Sequence, residues 1–186
     1  ADYLNVDPLL GTNEDFEALC TAAQKYGIGI VLDGVFSHTG SDSRYFNREG
    51  QYDTIGAFQS PDSPYFEWYN FRNFPYEYES WWNFSTLPDV KETTPSYMDF
   101  IIYDKDSVLH HWMKEGIAGW RLDVIDELPA AFSQSFFAEL KKTDPDAVMI
   151  GEVWEDASHK VAYGVPREYL CGQEMDSAMN YPFRQI

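Results

Sequence analysis

The sequence predicts an α/β fold built on a parallel sheet. Short, nearly continuous apolar runs recur at 27–35, 117–124 and 147–153, and stretches of helical spacing alternate with them. The polar residues that break the pattern sit at the carboxyl ends of the runs. Alternating helices and short buried strands are the grammar of parallel sheets, in a barrel or a doubly wound form, and both remain open at this level. No GxGxxG or P-loop pattern follows any run, which disfavours nucleotide-binding versions of the fold.

The elements follow in order. Thr12 with Asp15 three residues on is a capping-box start, and Phe16, Leu19, Cys20 and Ala23 continue one helical face to Gly27, placed as a C′ glycine. Ile28, Ile30, Val31 and Leu32 then read as a strand buried on both faces. A second helix starts near Asp104, with Val108, Leu109, Trp112 and Met113 on one face, and stops at Gly116. The next strand is 117–124. A third helix runs from about Pro129 to Lys142 with Phe132, Phe136, Phe137 and Leu140 inward, and Asp144-Pro145 ends it. The strand 147–153 follows, and a weaker one is expected within 173–179.

Between the first strand and the second helix lie about sixty residues, 39–103, far more than an ordinary βα loop holds. This segment carries over half of the aromatic residues, including Trp68, Tyr69, Phe71, Trp81, Trp82 and Phe84. It reads as a subdomain with its own aromatic core, and its rings also suit stacking against sugars. The expected organisation is therefore a first barrel segment (1–38), an aromatic-rich excursion (39–103) and a second barrel segment (104–186).

Composition narrows the function. The 186 residues carry a net charge of −18, which disfavours nucleic acid and anionic membrane surfaces as partners. No apolar run approaches the ~20 residues of a membrane span. No signal-peptide pattern is visible, so a cytoplasmic location is the default expectation. Two cysteines, Cys20 and Cys171, make no disulfide framework or zinc pattern and read as small buried hydrophobes. His110 and His111 read as surface or helix-packing residues and His159 as a loop residue. Nothing in the spacing of Asp53, Asp62 and Glu79 argues for a cation, and no metal ligands are expected.

The chemistry gathers at strand ends. Asp33 and His38 follow the first strand, Arg121 and Asp123 close the second, and Glu152 closes the third. Groups at the carboxyl ends of parallel strands converge on one crevice. A buried ion-pair network of Asp33, Arg121 and Asp123 would also account for these residues, since charges inside a sheet need partners. Two carboxylates on neighbouring strands, however, suit a retaining glycosidase, which needs an ionised nucleophile and a protonated acid ~5–5.5 Å apart. Arg121 and Asp123, two residues apart, share one side of the strand, so the guanidinium is expected to hold Asp123 ionised. Burial beside Val153 and Trp154 is expected to raise Glu152 and keep its proton. That asymmetry makes Asp123 the nucleophile and Glu152 the acid/base.

These segments resemble the α-amylase superfamily of retaining glycoside hydrolases and transglycosylases. VLDGVFSH (31–38) resembles the first shared region, with a structural Asp at Asp33 and a substrate-binding His at His38. GWRLDVIDE (119–127) is similar to the second, with Arg121 and the nucleophile Asp123. IGEVWED (150–156) is similar to the third, with the acid/base Glu152, and LPDVK (87–91) resembles the fifth, in the excursion known as domain B. YLNVDPLLGT (3–12) and EMDSAMNYPFR (174–184) match the text before the third barrel strand and at the sixth. The flavour is that of the cyclomaltodextrinase, neopullulanase and maltogenic-amylase branch, whose members cleave α-1,4 and sometimes α-1,6 glucosidic bonds. The resemblance implies that Asp126, Glu127 and Trp154 line the acceptor side, and that α-glucans or maltooligosaccharides are the substrates.

The resemblance also implies a fold: about strands three to six of a (β/α)8 TIM barrel, with a domain-B-like insertion. A fourth region, with a further His and carboxylate, would lie past Ile186, and the first two strands before Ala1. The expectation is thus a catalytic-domain fragment, inactive alone and prone to self-association through open sheet edges and an apolar inner face of Ile30, Leu32, Leu122, Met149 and Val153. Ser37 stands where many members have a calcium-binding Asn, and a hydroxyl is a poorer Ca²⁺ ligand than an amide carbonyl. No cofactor, calcium included, is therefore expected. Two alternatives are a non-catalytic carbohydrate-binding scaffold and a sucrose- or trehalose-processing transglycosidase of the same superfamily.

Overall fold

The computed structural model describes residues 2–184, so Ala1 and Ile186, the outer bounds of the two barrel segments, lie outside the described residues. Among these residues the main sheet has four parallel strands in the order β1 (Val31–Gly34), β4 (Gly119–Leu122), β5 (Val148–Gly151) and β8 (Ser177–Ala178). All four are shorter than the apolar runs that announce them, because each ladder lasts only where two strands overlap in register. Helix α1 (Asn13–Lys25) precedes β1, α3 (Val108–Lys114) precedes β4, and α4 (Ala130–Thr143) links β4 to β5. A sheet whose successive strands are parallel and joined through helices is the repeating unit of the barrel.

The helix ends follow their local chemistry. Thr12 accepts from the Asp15 amide while the Asp15 carboxylate receives the Thr12 N–H, completing the capping box. Ser107 caps α3 by accepting from the His110 amide. Gly27 turns the chain out of α1 at φ +70°, a conformation that glycine adopts without strain.

The sheet is covered on one face. In β4, Trp120 and Leu122 point toward α4, and their register partners Leu32 and Met149 share that side. There Phe36, Trp120, Phe132 and Phe136 meet ring to ring. Leu122, Met149 and Val153 are fully buried, which corrects the expectation that they form an open apolar inner face. The other face carries Val31, Arg121 and Val148, and Val31 and Val148 are exposed. The strand at 27–35 is therefore not buried on both faces; Ile28 is exposed as well. Leu19 also lies in solvent, Phe137 is only partly buried under Lys141, and Cys171 is exposed where burial was expected.

Segment 39–103 holds the hairpin β2 (Phe71–Asn73) and β3 (Glu77–Tyr78), and its end is wound into α2 (Pro95–Met98) and a π-helical turn, Asp99–Tyr103. Its rings cluster around Phe46, Tyr45 and Trp68. They run on into the barrel core: Tyr97 stacks on Phe132 and donates its hydroxyl to the Phe36 carbonyl at 2.9 Å. After β5 come a hairpin, β6 (Val161–Ala162) with β7 (Val165–Pro166), and after β8 the short helix α5 (Tyr181–Arg184). Buried Arg167 pairs with Glu174 at 3.0 Å, which accepts from Ser133 and Gln134 of α4, and donates to the Leu128 carbonyl at 2.9 Å just before that helix. No helix among the described residues is long and apolar enough to cross a membrane.

Candidate active site

Arg121 organises the strand-end residues. The β1–β4 register sets Arg121 opposite Asp33. Its Nη1 donates to Asp33 Oδ1 at 2.6 Å and to Asp123 Oδ1 at 2.7 Å. Its Nη2 lies 2.9 Å from Glu152 Oε1, and its Nε points at the Met179 sulfur, 3.5 Å away. The expected network of Asp33, Arg121 and Asp123 is thus present, and it extends to Glu152. Asp123 and Glu152 are held on the two terminal nitrogens of one planar guanidinium.

The surroundings of Glu152 differ from the expectation. The turn after β4 passes through Val124 at φ +35°, which aims the Val124 amide at Glu152 Oε2, 2.9 Å away. Tyr181, at the start of α5, donates its hydroxyl to Oε1 at 2.9 Å. Burial pushes the Glu152 carboxyl up, but the Val124 amide, Trp154, Tyr181 and the Arg121 charge together hold it below its ordinary value. Asp123 goes the other way: burial raises it, with Glu152 and Asp33 adding to the rise, and the contacts with Arg121 only partly offset this. The asymmetry expected from sequence is therefore reversed in the free site. Burial of an acid in an apolar strand was the wrong guide, because four donors converge on it.

His38 is half-buried. Its ring stacks on Trp81 at 5.1 Å, and its Nδ1 shares a 3.0 Å hydrogen bond with Ser37 Oγ. Burial lowers its pKa against the pull of Glu127, so the imidazole stays neutral near pH 7. Ser37 is itself buried and turned onto His38. Among the described residues no three His, Cys, Asp or Glu side chains are gathered so as to hold a metal.

The three residues assigned to the acceptor side have different partners. Asp126 is engaged by Tyr169 Oη at 2.6 Å and by Lys160 Nζ at 3.0 Å, so it anchors the loop after β5. Glu127 lies near His38, Asp89 and Glu92 and receives the Tyr163 hydroxyl. Trp154 is 40% exposed and meets the edge of Trp82 at 5.8 Å. Sequence reasoning assigned nothing to Tyr181, to the Val124 amide or to Met179. Tyr181 and Met179 stand in the stretch 174–184 that resembles the sixth strand, and that text was the one available signal. His110 bridges α3 to Glu139 of α4 at 3.3 Å, a helix-packing role, and His159 sits in a loop turn. A cleft of about 200 Å³ opens beside His38, lined by Tyr3, Val35, Thr39, Ser43 and Leu87, and it does not reach Asp123 or Glu152.

Comparison with known proteins places this arrangement. The family described as alpha amylase, catalytic domain, matches residues 1–186. An amylopullulanase of Thermoanaerobacterium saccharolyticum is 39% identical over 202 residues, covering 99% of this chain and 15% of that protein. Neopullulanase 2 of Thermoactinomyces vulgaris is 34% identical over 192 residues, covering 100% of this chain and 29% of that protein. Among solved structures, the ligand-free cyclic alpha-maltosyl-(1→6)-maltose hydrolase of Arthrobacter globiformis superposes with a TM-score of 0.82 at 29% identity, covering 99% of this chain and 39% of that one. The debranching enzyme of Nostoc punctiforme gives 0.80 at 32%, covering 98% and 36%. The chain thus spans well under two thirds of each of these relatives.

Proposed function

Because the chain belongs to the α-amylase catalytic-domain family, we propose that it carries the nucleophile and the acid of a retaining hydrolase or transglycosylase of α-glucosidic bonds in maltodextrins or related α-glucans. The observation that carries this is the clamp of Asp123 and Glu152 on one guanidinium at the ends of β4 and β5. Asp123 attacks the anomeric carbon as Glu152 gives its proton to the departing glycosidic oxygen, leaving a glycosyl ester on Asp123. Glu152, now a carboxylate, takes a proton from water or from an acceptor sugar hydroxyl, which attacks the same carbon and frees Asp123. Asp33 and Arg121 keep Asp123 aligned, and neutral His38 is suited to hydrogen-bonding the sugar.

For this cycle Glu152 must gain a proton once the sugar is seated, which requires the Arg121 contact to loosen. Segment 39–103 serves as the domain-B-like excursion that closes one side of the site. The open sheet edges β1 and β8 support self-association of the chain.

A fluoroglucosyl fluoride that traps the glycosyl ester, applied to an enzyme that holds this chain together with the rest of its barrel, tests the assignment. The expected result is a label on Asp123 in peptide mass spectra. A label on Glu152 overturns the roles. Absence of any label, together with unimpaired maltooligosaccharide binding, favours the non-catalytic scaffold.

A further inference from the structure

Two tryptophans of the excursion join the candidate site without a catalytic part in it. Trp81 stacks on His38, and Trp82 stacks on Trp81 at 4.8 Å with ring planes 10° apart. Trp82 in turn meets the edge of Trp154, two residues beyond Glu152. A continuous aromatic path therefore runs from the loop after β1 to the loop after β5. Trp82 is 57% exposed although Trp81 covers one of its faces. Trp82 and Asn83 hold φ angles of +48° and +63°, left-handed values that non-glycine residues adopt at a cost. A packing role explains the face against Trp81. It explains neither the open face of a large apolar ring nor the strained backbone that bears it.

An exposed indole face suits a pyranose ring, which offers its apolar C–H groups to the indole. The polar group tied to this platform by geometry is His38, which stacks on the far side of Trp81. The platform meets Trp154, two residues beyond Glu152 at the end of β5. A general acid stands on the side of the departing oxygen, so a ring seated here belongs to the leaving or accepting sugar.

We propose that Trp82 is the stacking platform for a glucosyl unit on the leaving-group side of the cleaved bond. This rests on the α-glucan reading and adds to it a residue that selects the acceptor sugar.

The test is calorimetric titration with maltotriose and maltotetraose of a catalytically inactive (Asp123→Asn) enzyme that holds this chain together with the rest of its barrel. Trp82→Ala is expected to weaken binding about tenfold, the size of one ring contact, while Trp82→Phe stays near wild type. Trp82→Phe is expected to melt near the wild-type temperature, and Trp82→Ala slightly below it, because its stack on Trp81 is lost. Equal affinity of wild type and Trp82→Ala overturns the platform and leaves the glucan reading intact. Equal losses in the Ala and Phe variants, with lowered melting temperatures, assign Trp82 to packing and also overturn it. Failure of wild type to bind either sugar overturns the glucan reading itself.

Discussion

The Tyr181 hydroxyl donates to Oε1 of Glu152 at 2.9 Å, the same oxygen that Arg121 Nη2 approaches to 2.9 Å. The proposed acid is thus held as a carboxylate by a residue 29 positions away in sequence. A hydrogen bond to the charged form lowers a carboxyl pKa, so removing the donor raises it. Tyr181→Phe should therefore keep Glu152 protonated to higher pH, moving the alkaline limb of kcat/KM upward while the acid limb stays in place. A pH–rate profile on the active enzyme checks this. An unmoved alkaline limb would separate Tyr181 from the acid.

Arg121 bears three carboxylates on one fork, a geometry that an ammonium cannot reproduce. Arg121→Lys should lower stability by about 1–3 kcal/mol, below the figure for fully buried pairs because Asp33 is largely exposed. Urea unfolding provides the measurement. A loss under about 0.5 kcal/mol, the range of ordinary surface changes, would show that the fork is dispensable.

Glu92 is pushed up to about 8, first by burial and then by Asp89 and Glu127. Asp89 is pushed up to about 6, by burial, Glu127 and Glu79. A carboxyl raised in the folded state binds more protons folded than unfolded. Its contribution is fully present below the unfolded value, 4.5 for Glu92, and is lost as pH rises through about 8. Melting temperature should fall across that window. Glu92→Gln should flatten the fall and raise Tm at pH 8 by a few degrees, about 1 kcal/mol being worth ~2–4 °C at this size. An unchanged slope in the variant would assign the pH dependence elsewhere.

Edge strand β1 presents exposed Val31 beside exposed Ile28. Unpaired strand edges with apolar side chains recruit other chains, and an edge lysine opposes this. Light scattering on the chain should show concentration-dependent association, reduced in Val31→Lys. A monomer over a wide concentration range would remove self-association from the properties of this surface.

Several features were legible before any fold was seen, because their causes are local. The Thr12–Asp15 box, the stop at Gly116 and the inward ring row of α4 depend on neighbours within four residues. The convergence of Asp33, Arg121, Asp123 and Glu152 followed from chain direction alone, since parallel strands deliver their carboxyl ends to one side. Period two placed Arg121 and Asp123 together, but it defines two faces without saying which is covered. Only the packing of Phe36 and Phe136 against Trp120 decided that Leu122 and Met149 are buried and that Val31 is not. The charge state of Glu152 was equally out of reach. A pKa is set by every donor within a few ångströms, and these include Arg121 and Val124 at the end of β4 and Tyr181 in α5, which only the folded chain brings to one carboxylate.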